Sequence, residues 1–211
     1  STTPKDILDP SVGIDALGDI NDANDSAFSF SGTCDVSGED VSYSIDDQAD
    51  AGTSAVAGVT NCDGTNWSVS NLDVSSLNDS TLDFTINFSD VVGNAATTAT
   101  DSNTKDAGVP TVGLNAILNV NPSNANIATL AISGSCTDDG DTVTVSVDDQ
   151  GDGGTAAISD TFVCASSAYN VTLNVTSLND LVLDVTADIT DAAGNVATMH
   201  LPLQIKIRRD R

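Results

Sequence analysis

The stretch Asp90-Val91-Val92-Gly93-Asn94-Ala95-Ala96-Thr97 returns 101 positions later as Asp191-Ala192-Ala193-Gly194-Asn195-Val196-Ala197-Thr198. The first copy follows the alternating run Leu82-Asp83-Phe84-Thr85-Ile86-Asn87-Phe88, and the second follows Leu181-Val182-Leu183-Asp184-Val185-Thr186-Ala187-Asp188-Ile189. A Thr/Ala-rich extended run comes after each. The octet therefore reads as a loop between two strands, with glycine supplying a φ > 0 position and Asp and Asn supplying short side-chain oxygens. Such a loop turns a chain, holds a hard cation, or does both.

Outward from this loop the whole chain duplicates. Lys5-Asp6 and Pro10 match Lys105-Asp106 and Pro110, and Val12-Gly13 matches Val112-Gly113. Phe28-Ser29-Phe30-Ser31-Gly32-Thr33-Cys34 matches Leu130-Ala131-Ile132-Ser133-Gly134-Ser135-Cys136. Val41-Ser42-Tyr43-Ser44-Ile45 and Val143-Thr144-Val145-Ser146-Val147 alternate at period two, apolar on one face only, as a half-buried antiparallel sheet requires. Trp67 pairs with Tyr169, and the corner Ser76-Leu77-Asn78-Asp79 pairs with Ser177-Leu178-Asn179-Asp180. Seven short strands per repeat, turn signals roughly every 8–12 residues and no helical periodicity predict an all-β chain. The predicted architecture is two tandem immunoglobulin-like antiparallel β-sandwiches, residues 1–104 and 105–211. Trp67 is read as a core plug, because Tyr169 fills the same volume whereas stacking chemistry is less indifferent to the exchange.

Composition narrows the function. The chain carries 6 Lys+Arg against 31 Asp+Glu, a formal charge of −25, and Glu39 is its single glutamate. Asp suits turns and oxygen-ligand cages better than Glu does. Lys206, Arg208, Arg209 and Arg211 crowd the C-terminus, so the body is more acidic still. Nucleic-acid phosphates are repelled by such a surface, and anionic membranes are disfavoured for the same reason. No apolar run is long enough to span a bilayer. The opening Ser1-Thr2-Thr3-Pro4-Lys5-Asp6 reads as a linker, so a piece of a longer protein is expected.

Cys34 and Cys62 in the first repeat recur as Cys136 and Cys164 in the second. Four cysteines allow three connectivities, and the repeat favours Cys34–Cys62 and Cys136–Cys164, implying an oxidising, extracytoplasmic location. Two pairs of reduced, buried cysteines are the alternative. Zinc fits less well, since His200 is the only histidine and no CxxC occurs.

Five motifs, each in order and most of them twice, carry a resemblance. Lys105-Asp106-x-x-x-Pro110-Thr111-Val112, Ser31-Gly32-Thr33-Cys34, Cys62-Asp63-Gly64-Thr65-Asn66-Trp67-Ser68, Ser76-Leu77-Asn78-Asp79 and Asp191-Ala192-Ala193-Gly194-Asn195 resemble the bacterial immunoglobulin-like repeats strung along large surface adhesins. The similarity spans roughly residues 5–200. It implies an extracellular, calcium-stiffened extender on the bacterial cell surface that carries a distant binding domain, with other domains meeting a host or environmental surface. Departures are Ala107-Gly108-Val109 as the spacer before Pro110, Tyr169 in place of Trp67, and a C-terminus that does not run into another Lys-Asp-x-x-x-Pro linker.

Strands that alternate direction put the loops after the second, fourth and sixth strand at the end where the linker enters. For the second repeat that end collects Asp106, Asp138, Asp139, Asp141, Asp191 and Asn195; for the first, Asp6, Asp35, Glu39, Asp40, Asp90 and Asn94. The opposite end of the first repeat presents Asp46, Asp47, Asp50 and Asp79. The expectation is a Ca²⁺ ion held by Asp106 and Asp191 with an acid of the first repeat, because crowded carboxylates repel unless a cation bridges them. The plainer reading makes these aspartates solvated turn residues.

Catalysis is not expected. The carboxylates lack the aromatic groove a glycosidase needs, and His200 has no Ser-His-Asp set around it. The tail Leu201-Pro202-Leu203-Gln204-Ile205-Lys206-Ile207 is either a final strand or a strand donated to another copy in a filament. A carbohydrate- or surface-binding module is a third reading. The expected partners are neighbouring repeats of the same chain or copies of itself.

Overall fold

The alternating runs become strands in the computed structural model, which describes residues 6–48, 52–115, 128–149, 155–179 and 182–206, with side chains described as far as residue 201. Asp50, Asp180, Leu181, Ile207 and the three arginines lie outside the described residues. The chain divides into two compact units, Ser1–Gly108 and Val109–Arg211, and the Lys105-Asp106 linker folds with the first. The described structure is all β.

The first unit contains β1 (Phe28–Thr33), β2 (Asp40–Asp47), β3 (Val56–Asn61), β4 (Asn66–Leu72), β5 (Thr81–Phe88) and β6 (Ala99–Thr104). They form a four-stranded antiparallel sheet in the order β3-β2-β5-β6 and a two-stranded sheet β1-β4. The second unit repeats the plan. Its strands are β7 (Leu130–Ser135), β8 (Thr142–Asp149), β9 (Ile158–Val163), β10 (Ala168–Leu173), β11 (Val182–Thr190) and β12 (Val196–Lys206). They pair as β12-β11-β8-β9 and β10-β7.

Among the described residues each unit has six strands where seven were expected. The missing first strand survives as a short paired segment: Val12 bridges Cys34, and Gly13 and Asp15 donate their N–H groups to Thr33 and Ser31. Gly113 and Asn115 do the same on Ser135 and Ser133. Pro10 and Pro110, which have no N–H to give, stop the ladder on one side.

Each unit closes over its own core. In the first, Phe28, Phe30, Phe84 and Trp67 meet edge to face or stacked beneath Val41, Ile45 and Ile86. In the second, aliphatic side chains fill the same positions: Leu130 and Ile132 for Phe28 and Phe30, Val185 for Phe84. Both disulfides form as the repeat favoured, Cys34–Cys62 and Cys136–Cys164, each with Cα atoms 6.0 Å apart and a sequence separation of 28. Each joins the small sheet to the large one and stabilises the unit by roughly 3–4 kcal/mol through loop closure.

Trp67 and Tyr169 plug the cores and share a polar duty. Trp67 Nε1–H donates to the Gly13 carbonyl at 3.0 Å, and the Tyr169 hydroxyl donates to the Gly113 carbonyl at 2.8 Å. Burial pushes the Tyr169 phenol up to about 12. The tail strand β12 pairs with β11 in its own unit, from Val196 on Thr190 to Lys206 on Val182.

A Cβ on Gly32 would lie 2.0 Å from the Gly13 carbonyl oxygen and 2.6 Å from the Trp67 ring, and one on Gly134 would lie 1.8 Å from the Gly113 oxygen. Gly32→Ala and Gly134→Ala are each expected to cost about 3 kcal/mol by overpacking, read by denaturant unfolding. Gly18→Ala, where nothing lies within 4 Å, should stay within about 0.5 kcal/mol of the parent.

Candidate functional site

The polar side chains gather at the two ends of each unit. At the leading end, where residues 11–15 meet the top of β1, the loops at residues 34–39, 62–65 and 89–98 converge, as alternating strand directions require. At the trailing end lie the β1–β4 start and finish, the β2–β5 corner and the exit of β6.

The leading end is built from aspartates that cap their own loops. Asp35 accepts the Ser11 N–H and hydroxyl, with contacts of 2.8 to 3.1 Å, and those bonds hold its carboxyl below the usual carboxylate range. In the second unit Thr137 takes this place: its Oγ1 accepts the Thr111 N–H at 2.7 Å. The sequence reading missed this staple, because Asp and Thr share only an oxygen. Asp63 accepts the Thr65 and Asn66 N–H groups at 2.7 Å.

The repeated octet is the most complete of these loops. Gly93 and Gly194 take the expected positive φ, 92° and 86°. Asp90 Oδ1 accepts the N–H groups of Val92 and Asn94, and its Oδ2 accepts the Asn94 amide at 2.7 Å. Asp191 repeats the set with Ala193 and Asn195, down to the Asn195 amide at 2.8 Å. Partial desolvation raises the Asp90 carboxyl, but the Asn94, Val92 and Gly93 donors outweigh it and leave the group lowered. The octet therefore turns the chain with its carboxylate already coordinated by amides. Asp6 and Asp106 are smaller versions, accepting the N–H two residues on, at Leu8 and Gly108, both at 3.1 Å. Asp138 is exposed, Asp139 accepts the Ser167 N–H at 2.8 Å, and Asp141 is half-buried where its carbonyl receives the Cys164 N–H.

The trailing end of the first unit has a different chemistry. Asp46 is exposed. Asp47, expected beside it at the surface, is instead only 2% exposed and accepts the Asn78 N–H; Asp149 does the same for Asn179. The alternation explains it, since neighbours on a strand face opposite sides of the sheet. Asn78 and Asn179 also reach Thr53 and Thr155 through their amides. The repeated pairing of Asp-Asp-Gln with Ser-Leu-Asn-Asp thirty positions later was the available signal for this corner.

Lys105, one residue past β6, is 3% exposed. Its ammonium lies 2.8 Å from Asp79 and 3.7 Å from Asp25. Its backbone pairs in parallel with Ile20 and donates to the Ser80 carbonyl, and the Asp106 and Ala107 N–H groups bond the Ile20 carbonyl and Asp79. Partial burial raises the Asp79 carboxyl, but the Lys105 ammonium and the Ala107 N–H outweigh that and hold it lowered. Asp79 is thus spent on Lys105. His200 touches the Asp184 carboxylate across the outer faces of β12 and β11.

Of the acids singled out in the sequence, the structure places Asp6, Asp90 and Asn94 at the leading end of the first unit and Asp138, Asp141, Asp191 and Asn195 at that of the second. Asp46, Asp79 and Asp106 lie at the trailing end of the first. Among the described residues no three His, Cys, Asp or Glu side chains come together as a metal-holding group. No described helix is long and apolar enough to cross a membrane.

No protein-family model matches the chain, and no curated protein matches it. Among solved structures it is similar to a tetra-tandem repeat in the extending region of a large adhesion protein, at 24% identity over 91% of this chain and 47% of that one, with a TM-score of 0.37. It is also similar to a Ca²⁺-stabilized adhesin that helps an Antarctic bacterium reach out and bind ice, at 22% identity, 97% and 50% coverage and a TM-score of 0.49. A third is a 1.5-MDa bacterial ice-binding adhesin, at 20% identity, 98% and 67% coverage and a TM-score of 0.45. These neighbours are repeat segments of large bacterial adhesins, and this chain spans about half the length of the first two.

The lowered Asp79 carboxyl gives a pH signature. A carboxylate whose native value lies below its unfolded value of about 3.9 contributes stability that is present above about pH 4 and is lost as pH falls through the native value. Asp79→Asn is therefore expected to lower the melting temperature at pH 7 and to flatten the acid limb, so that parent and variant converge near pH 2. Parallel melting curves from pH 2 to 7 would contradict this role.

Proposed function

We propose that this chain is a non-catalytic, extracellular structural segment of a bacterial surface adhesin, built of immunoglobulin-like repeats, that acts as an extender or stalk. One observation carries the reading: each unit is threaded from end to end. The paired segment at Val12 or Val112 enters beside Cys34 or Cys136, whereas β6 and β12 run back and leave beside Thr81 or Val182, one strand length away. At about 3.3 Å per residue, an eight-residue strand such as β5 spaces entrance from exit by about 26 Å. A unit threaded this way adds its strand length to any chain it is inserted in, which is what a spacer must do. The five repeated motifs supply the adhesin character of the reading, and the two disulfides support an oxidising location.

The tail favours this reading over filament assembly. Residues 196–206 complete the large sheet of their own unit, so the strand that donation requires is already used. The described surface also gives little to a carbohydrate: Trp67 and Tyr169 are buried with their polar atoms on backbone carbonyls.

Calcium is the finer part of the proposal. Its support is the charge of −25, whose self-repulsion divalent ions relieve by binding carboxylates. Neighbouring repeats are the partners this reading implies.

Small-angle scattering and melting of the whole chain, in millimolar calcium and again in chelator, test both parts. An extended profile supports the extender; a longer maximum dimension and a higher melting temperature with calcium support stiffening. A profile no longer than a single sandwich removes the extender reading, and identical profiles and melts with chelator remove calcium.

A further inference from the structure

In the first unit the chain that enters and the chain that leaves touch each other. Beyond Asp15 the entering chain changes sheets, and Ile20 bridges Lys105 in parallel at the exit of β6. It is the only parallel pairing among the described residues. Two hydrogen bonds cross the seam: the Asn103 amide donates to the Gly18 carbonyl at 2.7 Å, and the Asp106 N–H donates to the Ile20 carbonyl at 3.0 Å.

Both sides of the seam are anchored. Ile20 is 1% exposed, and the turn behind it is held by Asn24, whose amide donates to the Asp19 carbonyl at 2.8 Å and whose oxygen accepts the Asn21 N–H at 2.9 Å. On the leaving side Lys105 is held by Asp79 and by the Ser80 carbonyl. Asp25 follows the same turn on the entering side, so the Lys105–Asp25 contact at 3.7 Å crosses the seam as well.

Direction decides what this contact does under tension. The entering chain and β6 both run from the leading end to the trailing end, as their parallel pairing requires. Tension on a chain threaded end to end pulls the first toward the leading end and the second toward the trailing end. The seam is therefore drawn lengthwise, roughly across its hydrogen bonds. Bonds drawn in that direction give way together, whereas those of a hairpin opened from its end are lost one at a time.

We propose that this seam is a tension clamp: force entering the first unit passes through Gly18 and Ile20 directly to Asn103, Lys105 and Asp106, and the sheets and core stay intact until the seam slides. The proposal rests on the extender reading, in which the chain is pulled from both ends. It gives tension a short path made of protein groups alone, from the segment that enters the unit to the linker that leaves it.

Forced unfolding separates a clamp from general stability. Groups released at the barrier change the unfolding rate, whereas groups still packed there change only the equilibrium. The whole chain, held by its two ends at constant force in chelator, is expected to lengthen in two steps, one for each unit. Asn103→Asp keeps the side-chain oxygen that accepts the Thr104 N–H and removes the amide that reaches Gly18. It should speed one step about fivefold or more, the equivalent of one hydrogen bond. Ile86→Val, buried in the core of the same unit, should lower that unit's denaturant midpoint and leave both steps within about twofold of the parent rates.

An Asn103→Asp chain that lengthens at the parent rates overturns the proposal. So does equal acceleration by Asn103→Asp and Ile86→Val, because tension then spreads through the sheets and core. Scattering that refuted the extender would leave these rates unchanged, so the two failures are separable.

Discussion

End-to-end threading depends on one narrow contact, the first segment of each unit pressed against β1 or β7 under an aromatic roof. Only three residues of that segment pair with the sheet, so backbone bonding alone would leave it to fray. The glycine at 32 or 134 lets the segment's carbonyl come close, and the ring at 67 or 169 closes over it and bonds that carbonyl. In the first unit that carbonyl also accepts the Thr33 N–H at 3.2 Å, so the ring adds a second bond to an oxygen the ladder already engages, and ring and glycine act together. Without them the short ladder alone would hold the segment where it enters.

The architecture was legible because the fold is written twice. Strand periodicity, the octet loop and the cysteine pairing each gained weight from a second occurrence. Comparison between copies also separated what the fold requires from what it tolerates: Phe28, Phe30 and Phe84 become Leu130, Ile132 and Val185 without loss of a buried core. Two things escaped. The first strand was counted as a full strand, because Val12-Gly13-Ile14 alternates like one, whereas Pro10 and the glycine contact hold it to a short ladder. Asp47 was grouped with Asp46, although adjacent strand residues face opposite ways and only one of them reaches solvent.

The candidate site was legible as positions and much less as chemistry. The described acids lie at the ends of the units, with Asp106 folding with the first unit and not the second, but what each carboxylate bonds depends on loop conformation that periodicity does not encode. The structure shows why aspartate outnumbers glutamate so heavily. Asp6, Asp63, Asp73, Asp90, Asp106 and Asp191 each accept the N–H two residues ahead, a reach that fits one methylene and not two. The choice of acid is therefore explained by turn capping, and calcium must rest on the amount of charge rather than on its kind.

That amount is what gives Lys105 its weight. Between residues 6 and 205 it is the only lysine or arginine, and it is buried against two carboxylates at the point where the first unit ends. A cation so placed could have been avoided by leaving Asp25 and Asp79 in water, where an exposed pair is worth little. Burying it makes the trailing end of the unit depend on a residue that lies beyond its last strand. The fold is then complete only when the chain has gone on into the linker, so one charge ties the folding of a repeat to the presence of the segment that leads to the next.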